Sequence, residues 1–221
     1  MQTQPARTAA IILAAGSSSR MGQGRHKLLL PLGTRPVLAH VLEAALASRA
    51  RPILVVLGYQ AEQVRASLGA YTTHPDLTWL DNPDYAQGMS SSLQVGLRAI
   101  IDPAVPQLSS DGALILLGDQ PLLTARIIDA LLATRISSGR RIVAPLYAGK
   151  RGNPVLFDAS LFPELLTVTG DEGGRKVIER HRQEVATVEL ESELASYDVD
   201  TWESYQRVVE EWQRRQQQEE G

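Results

Sequence analysis

The residues best suited to chemistry lie near the start of the chain, in the loop that follows a short apolar run. Two alanines and Gly16 end that run, so the backbone turns tightly and no side chain keeps a ligand away. Serines follow, and positive charge comes from Arg20, Arg25 and Lys27. Amides, hydroxyls and cations in one small loop are typical of a polyphosphate site. The sequence predicts that this loop holds phosphates; the alternative is a solvated basic connection between a strand and a helix.

Two well-known phosphate-binding motifs are absent from this loop. A P-loop needs a Gly-Lys pair followed by Ser or Thr, and neither Gly22 nor Gly24 is followed by Lys. The dinucleotide fingerprint needs a third glycine at the position of Lys27, and a carboxylate after the second strand, where the chain has Gly58 and Tyr59. A nicotinamide dinucleotide site is therefore disfavoured.

A carboxylate follows the most apolar run of the chain. Residues 113–117 are aliphatic or alanine and lead into Gly118 and Asp119. Ligands of a parallel sheet bind beyond the carboxyl ends of its strands, so we expect Asp119 at the same edge as the Gly16 loop. Mg²⁺ accepts one or two carboxylates together with substrate phosphates. Helix capping is the alternative role for Asp119, although Thr124 is placed to cap that helix itself.

Further polar segments are candidates for ligand contacts. The serine-rich turn after Gly88 either caps the next helix or holds a base or ribose. Two cations beside a glycine precede Asn153, and this pattern indicates either an anion site or a solvated hairpin. Acidic and basic residues crowd around glycines at residues 169–176. Asp198 and Asp200 are each a candidate second carboxylate for a metal, and capping of the last helix is the alternative.

These loops need a sheet to bring them together. Aliphatic runs at residues 9–13, 53–57 and 113–117 predict buried parallel strands. Shorter strands are expected at 77–80, 142–144 and 155–157. Helices are expected at 36–46, 61–68, 89–100, from 124, at 159–166, at 177–181 and at 202–213. An extended apolar connector is expected at 28–33.

Composition limits the class of protein. A chain of 221 residues with 43% hydrophobic residues fits one large domain. The net charge of −3 argues against general nucleic-acid binding, and the absence of cysteine excludes disulfides and thiolate sites. The sequence has no apolar stretch of about 18 residues and no signal-peptide pattern, so we expect a soluble, cytoplasmic protein. Residues 1–7 are expected to form a flexible leader, and residues 210–221 a polar tail that is the fraying, solvated end of the last helix.

Taken in chain order, these segments resemble one family. The segments are 13–22 with Lys27, 88–92, 118–121, 151–154, 170–175 and 198–201. Over residues 8–209 the chain resembles the molybdenum cofactor cytidylyltransferases and the related molybdopterin-guanine dinucleotide synthases, within the wider nucleotidyltransferases. The first motif is specific to nucleotidyl transfer. The turn after Gly88 and the later glycine motifs are more similar to the cytidylyl branch than to the guanylyl branch.

The resemblance implies a Rossmann-like, three-layer α/β/α domain with a mostly parallel central sheet. It also implies Mg²⁺-dependent transfer of a nucleotide monophosphate, with CTP as the favoured donor and molybdopterin as the favoured phosphorylated acceptor, and release of pyrophosphate. A molybdoenzyme is the implied protein partner, and neither nucleic acid nor a membrane is implied. Two alternatives remain: transfer to another acceptor (a sugar or alcohol phosphate) or from GTP, and a non-catalytic nucleotide-binding partner of a molybdoenzyme.

The resemblance also implies roles for individual residues. The implied catalytic residues are Arg20, Lys27 and Asp119, with Asp119 and Asp200 as metal ligands. The implied nucleotide-binding residues are Leu13, Ala14, Ala15, Gly16, Ser17, Ser18, Arg20, Lys27, Asn82, Gly88, Met89, Ser90, Ser91 and Gly118. The implied acceptor-binding residues are Arg151, Asn153 and Arg175. The chain departs from the family at Asn153, where His usually precedes the proline; Asn keeps a hydrogen bond but does not titrate, so acceptor identity is less closely specified there.

Overall fold

The structure is a computed structural model that describes residues 7–22, 25–190 and 192–219; apart from Arg7, the expected leader lies outside them. Within this part of the chain the strands are β1 (Thr8–Ala14), β2 (Pro31–Leu32), β3 (Arg35–Pro36), β4 (Ile53–Leu57), β5 (Leu77–Asp81), β6 (Gly112–Leu117), β7 (Ile142–Tyr147), β8 (Lys150–Arg151), β9 (Val155–Asp158) and β10 (Val185–Leu190). The α-helices are α1 (Val37–Ala47), α2 (Ala61–Leu68), α3 (Met89–Ile101), α4 (Ala125–Ser138), α5 (Phe162–Leu165), α6 (Arg175–Arg180) and α7 (Trp202–Glu219).

Eight of these strands form one mostly parallel sheet. Its order is β10-β7-β9-β6-β1-β4-β5, and β8 pairs with β7 as a hairpin. Strand β1 is central and runs parallel to both β4 and β6, while β9 runs antiparallel to β6 and β7. The predicted three-layer architecture with a mostly parallel sheet is confirmed.

Helices cover both faces of the sheet because alternate residues of a strand point to opposite sides. On one face Ala10 and Ile12 of β1 pack with α1, α2 and α4. On the other face Ala9, Ile11 and Leu13 pack with α3, α5 and α6. All seven residues of β1 are buried, as expected for a strand covered on both sides.

The predicted strands and most helices are confirmed, and α2 has the predicted bounds. Strand β10 was not predicted, since its half-exposed sequence lacks the continuous aliphatic run of a central strand. The connector expected at 28–33 is instead a 3₁₀ turn followed by β2, which pairs with β3. The helix expected at 159–166 divides into a 3₁₀ turn and the short α5.

The last helix extends beyond the expected boundary. The helix was expected to reach about residue 213 and to fray from residue 210, whereas α7 continues to Glu219. Tyr205, Val208 and Trp212 share one helical face and belong to a third apolar cluster with Leu32. The guanidinium of Arg215 donates to the Leu122 carbonyl at 2.9 Å. This stripe of apolar residues explains why much of the polar tail packs on the body. In the described part of the chain, no helix has the length and apolarity needed to cross a bilayer.

Candidate active site

The sheet gathers the predicted loops at one edge. Strands β1, β4, β5 and β6 are parallel, so the loops that follow them leave the same, carboxyl edge. Strand β9 is antiparallel to β6, and therefore Asn153, just before it, lies near the end of β6. Strand β10 is parallel to β7 and leads the chain back to this edge before Asp198 and Asp200.

At this edge the ammonium group of Lys27 lies between two carboxylates. It donates hydrogen bonds to Asp119 Oδ2 and, at 2.6 Å, to Asp200 Oδ1. The second oxygen of Asp200 accepts a bond of 2.9 Å from Arg20 Nη1. The side chains of Lys27 and Asp119 are each 14% exposed, whereas Arg20 is 74% exposed. The three predicted catalytic residues and the predicted second metal ligand thus form one chain of charged contacts.

The contacts shift the pKa values of this cluster. Burial alone would lower the pKa of Lys27, but Asp119 and Asp200 outweigh burial and raise it. Burial alone would raise the pKa of Asp200, but Lys27 and Arg20 outweigh burial and lower it. Partial burial, followed by the nearby carboxylates of Asp200 and Asp119, raises the pKa of Asp198. Lys27 and Asp200 therefore both favour their charged forms.

Backbone bonds place the cluster. The amide of Gly118 donates to the Leu13 carbonyl at 2.9 Å and fixes the start of the Asp119 loop against β1. An added Cβ at Gly118 would lie 3.1 Å from the Ala14 Cβ, so the close approach favours glycine. The amide of Lys27 donates to Ser18 Oγ at 3.1 Å, which joins the start and the end of the loop after β1, the predicted phosphate-binding loop.

The predicted phosphate-binding loop after β1 presents mainly backbone groups and cations to a ligand. The side chains of Leu13, Ala14 and Ala15 are buried, while Gly16 and Ser17 are exposed. The guanidinium of Arg25 lies 4.6 Å from the centre of the Trp202 ring, an arrangement typical of a cation–π contact. Sequence reasoning missed Trp202, because no spacing rule links the loop to the start of α7. Gly24 lies outside the described residues.

The predicted serine turn is stabilised by hydrogen bonds from the side chain of Asn82. This side chain is 2% exposed, and its amide donates to Ser91 Oγ at 2.8 Å and to Ser92 Oγ at 2.9 Å. Its carbonyl oxygen accepts from the Asp84 amide at 3.0 Å. The amide is therefore engaged within the loop and positions the turn, and the direct contact between Asn82 and a nucleotide remains a prediction. The hydroxyl of Ser90 is buried without a hydrogen-bond partner among the described residues.

The start of α3 packs on the segment that precedes α6. Gly88 has φ +99°, and an added Cβ would lie 2.6 Å from the Gly170 carbonyl carbon. The exposed Met89 donates its amide to Asp171 Oδ1 at 3.1 Å. Asp171 therefore caps α3, a role that sequence reasoning missed although a carboxylate is favourable at a helix start.

The predicted acceptor-binding residues form no described hydrogen bond with the charged cluster. Arg151 and Arg175 are exposed and form no ion pair with the described residues. The Asn153 carbonyl accepts a bond of 2.7 Å from the Tyr147 hydroxyl. No hydrogen bond among the described residues joins these three side chains to Lys27 or the carboxylates. Their role towards an acceptor remains a prediction.

The carboxylate pair fits a hard divalent cation. Oxygens of Asp119 and Asp200 converge on a single nitrogen, so both point to one region of the edge. In the described part of the chain, no group of three or more His, Cys, Asp or Glu side chains is arranged to hold a metal. Mg²⁺ needs only one or two protein carboxylates when substrate phosphates supply further oxygens. The donor set suits a metal that arrives with a nucleotide.

Two of the known proteins similar in sequence match nearly the whole chain, and a third matches 57% of it. Nicotine blue oxidoreductase of Paenarthrobacter nicotinovorans is 31% identical over 209 residues, 90% of this chain and 95% of that protein. The purine catabolism protein PucB of Bacillus subtilis is 29% identical over 90% of this chain and 94% of its own length. The bifunctional protein GlmU of Halorhodospira halophila is 37% identical over 126 residues, which span 24% of that longer protein.

Solved structures show the same architecture. The Rv0371c homologue from Mycobacterium sp. strain JC1 has a TM-score of 0.78 and 30% identity, covering 94% of this chain and 98% of its own. Rv0371c from Mycobacterium tuberculosis, in complex with manganese, has a TM-score of 0.72 and 27% identity over 92% of this chain and 98% of its own. The family model described as the MobA-like NTP transferase domain matches residues 10–185. The chain belongs to this family of nucleotidyltransferases.

Proposed function

We propose that the protein is an Mg²⁺-dependent cytidylyltransferase that moves CMP from CTP to the terminal phosphate of molybdopterin and releases pyrophosphate. The observation that carries this proposal is the contact of Lys27 with both Asp119 and Asp200, which supports a role for Lys27 in binding phosphate and for the two carboxylates in binding a metal. Support for a metal comes from the relative solved with manganese. The proposed protein partner is a molybdoenzyme that receives the product, and the proposed compartment is the cytoplasm.

The reaction needs no covalent enzyme intermediate. An ionised acceptor phosphate oxygen attacks the α-phosphorus of CTP, the new P–O bond forms, and the bond to pyrophosphate breaks. Lys27 and Arg20 stabilise negative charge on the phosphate oxygens, because charge stabilisation and alignment dominate phosphoryl-type transfer. Asp119 and Asp200 would hold a Mg²⁺ ion, which would supply Lewis-acid polarisation of the phosphates. The loop amides around Gly16 orient the triphosphate.

Support for the cytidine donor is the resemblance of the Gly88–Ser92 turn to the cytidylyl branch. Asn82 holds Ser91 and Ser92 in place, so this turn presents a fixed surface at the same edge of the sheet as the loop after β1. Support for the acceptor is the similarity of the segments around Arg151 and Arg175 to those of the same family.

The deciding experiment measures pyrophosphate release with CTP, GTP, ATP and UTP in magnesium, each with and without molybdopterin. We expect release only with CTP and molybdopterin together. Release with glucose 1-phosphate or glycerol 3-phosphate in place of molybdopterin would reassign the acceptor. An increased melting temperature with a nucleotide would show that the nucleotide binds. Binding of this kind without pyrophosphate release in any combination would contradict an enzymatic role.

A second candidate, an oxidoreductase, is favoured by one observation. One relative, which aligns with this chain over 95% of its own length, is named nicotine blue oxidoreductase. The absence of a dinucleotide fingerprint argues against this activity. Oxidation of NADPH, followed by absorbance with nicotine blue as the substrate, distinguishes the two candidates, and the proposed transferase is expected to give no signal.

A further inference from the structure

The ammonium group of Lys27 stands where the two carboxylates converge. It contacts one oxygen of Asp119 and one of Asp200, and both Lys27 and Asp119 are 14% exposed. An ion that binds both of these oxygens needs the same space as the ammonium group. The two cations would also repel each other at this distance. Lys27 and a metal ion therefore cannot share these two oxygens.

The charges of the cluster favour the same conclusion. Without a ligand, the positive charges of Lys27 and Arg20 balance the negative charges of Asp119 and Asp200. A divalent ion added alone would leave an excess of positive charge in a partly buried site. A triphosphate brings several negative charges and attracts both cations. Once Lys27 moves to the phosphates, the two carboxylates lose their shared partner, and a divalent ion can replace it.

We infer that Lys27 competes with the metal ion for Asp119 and Asp200, so that the metal binds tightly only after a nucleotide has drawn Lys27 away. This inference rests on the proposed nucleotidyltransferase function and adds the order of binding. The triphosphate binds first and displaces Lys27 from the carboxylates, and the metal ion binds next. In physical terms, the nucleotide and the metal have positive binding coupling, carried by one side chain with two sets of partners.

Metal binding without nucleotide tests the inference directly. Manganese(II) chloride is titrated into the protein, and free Mn²⁺ is measured by electron paramagnetic resonance. Lys27→Met is expected to bind Mn²⁺ at least about tenfold more tightly than the wild type, because the competing ammonium group is gone. The matched control is Arg25→Met, which removes a charge from the same loop but frees no carboxylate, since Arg25 lies on Trp202. Its affinity is expected to stay within about twofold of the wild type.

Two further measurements keep the result interpretable. Mn²⁺ is expected to increase the melting temperature of Lys27→Met more than that of the wild type, which also shows that the variant is folded. The double variant Lys27→Met with Asp119→Asn is expected to lose the gain in affinity. Equal Mn²⁺ affinity in the wild type and Lys27→Met would overturn the inference, as would a gain that survives loss of Asp119. Failure of the proposed function is read separately, as no pyrophosphate release by the wild type with any nucleotide.

Discussion

Val199 donates its backbone amide to the carbonyl oxygen of Asp119 at 2.9 Å. This bond joins the loop after β6 to the segment before α7. It brings Asp200, the next residue, beside Asp119 and within 2.6 Å of Lys27. The end of the chain thus completes a charged cluster that the first and central loops begin. The contact also explains why two carboxylates so distant in sequence can act on one cation.

The first prediction concerns Asp119. Asp119→Ala is expected to lower kcat by at least about a hundredfold, because one charge-bearing group at a transferring phosphate contributes on the order of 3 kcal/mol. The fold is expected to persist, since Asp200 still pairs with Lys27. Pyrophosphate release in magnesium measures the rate. Near-normal activity of a folded Asp119→Ala protein would refute the metal assignment. Asp129→Ala is the control, because that carboxylate pairs with Arg49 on the surface.

The second prediction separates Asp198 from Asp200. Both residues precede α7, but only Asp200 contacts Lys27 and Arg20. Asp200→Asn is expected to lower kcat/KM by about ten- to a hundredfold, the usual effect of losing charge-assisted hydrogen bonds. Asp198→Asn is expected to change it by less than about threefold. A larger loss for Asp198→Asn, measured in the same assay, would exchange the two roles.

Sequence reasoning reached the elements of the site that depend on local pattern. Lys27 lies in the long loop after β1 and Asp119 directly after β6, and parallel strands place such loops at a common edge. The Arg25–Trp202 and Met89–Asp171 contacts were not predictable, because they depend on how distant loops pack. The supporting role of Asn82 was not predictable for a related reason: a polar residue after a strand gives no sign of whether it faces a ligand or the protein.

The third prediction concerns Asn82 as a support for the serine turn. Asn82→Ala removes two donated hydrogen bonds in a buried position and is expected to lower the free energy of unfolding by about 2 kcal/mol. The KM for the nucleotide is expected to rise as well, since the Gly88 turn loses its anchor. Urea unfolding and nucleotide titration measure the two effects. Gln87→Ala, an exposed amide in the same loop, is expected to change stability by less than about 0.5 kcal/mol. Equal effects of the two variants would contradict the supporting role.

The fourth prediction concerns acid stability at the other end of β7 and β10. Hydrogen bonds from Arg141 outweigh burial and lower the pKa of Glu184 from 4.5 to about 2. A carboxyl group with a lower pKa when folded adds stability above its unfolded pKa, and this contribution is lost as pH falls through the folded pKa. At pH 6 the wild type is therefore expected to melt at a higher temperature than Glu184→Gln. This difference in melting temperature is expected to shrink as the pH falls from 4.5 to about 2.

The control for this effect is Glu179→Gln, an exposed residue of α6 with no ion pair in the described chain. Its melting-temperature difference from the wild type is expected to stay nearly constant over the same range. A wild-type advantage over Glu184→Gln that grows as the solution becomes more acidic would mean that the sign of the coupling is wrong.

The last prediction uses two glycines with positive φ to separate backbone strain from crowding. Gly88 has φ +99° and Gly149 has φ +79°, but an added Cβ meets the Gly170 backbone only at Gly88; at Gly149 it meets nothing within 4 Å. Gly149→Ala is expected to cost about 1 kcal/mol of stability from strain alone. Gly88→Ala is expected to cost more and also to weaken nucleotide binding, because the start of α3 must move away from Asp171. Urea unfolding and CTP titration of both variants provide the comparison. Equal costs and unchanged CTP affinity would show that this close approach has no part in shaping the nucleotide site.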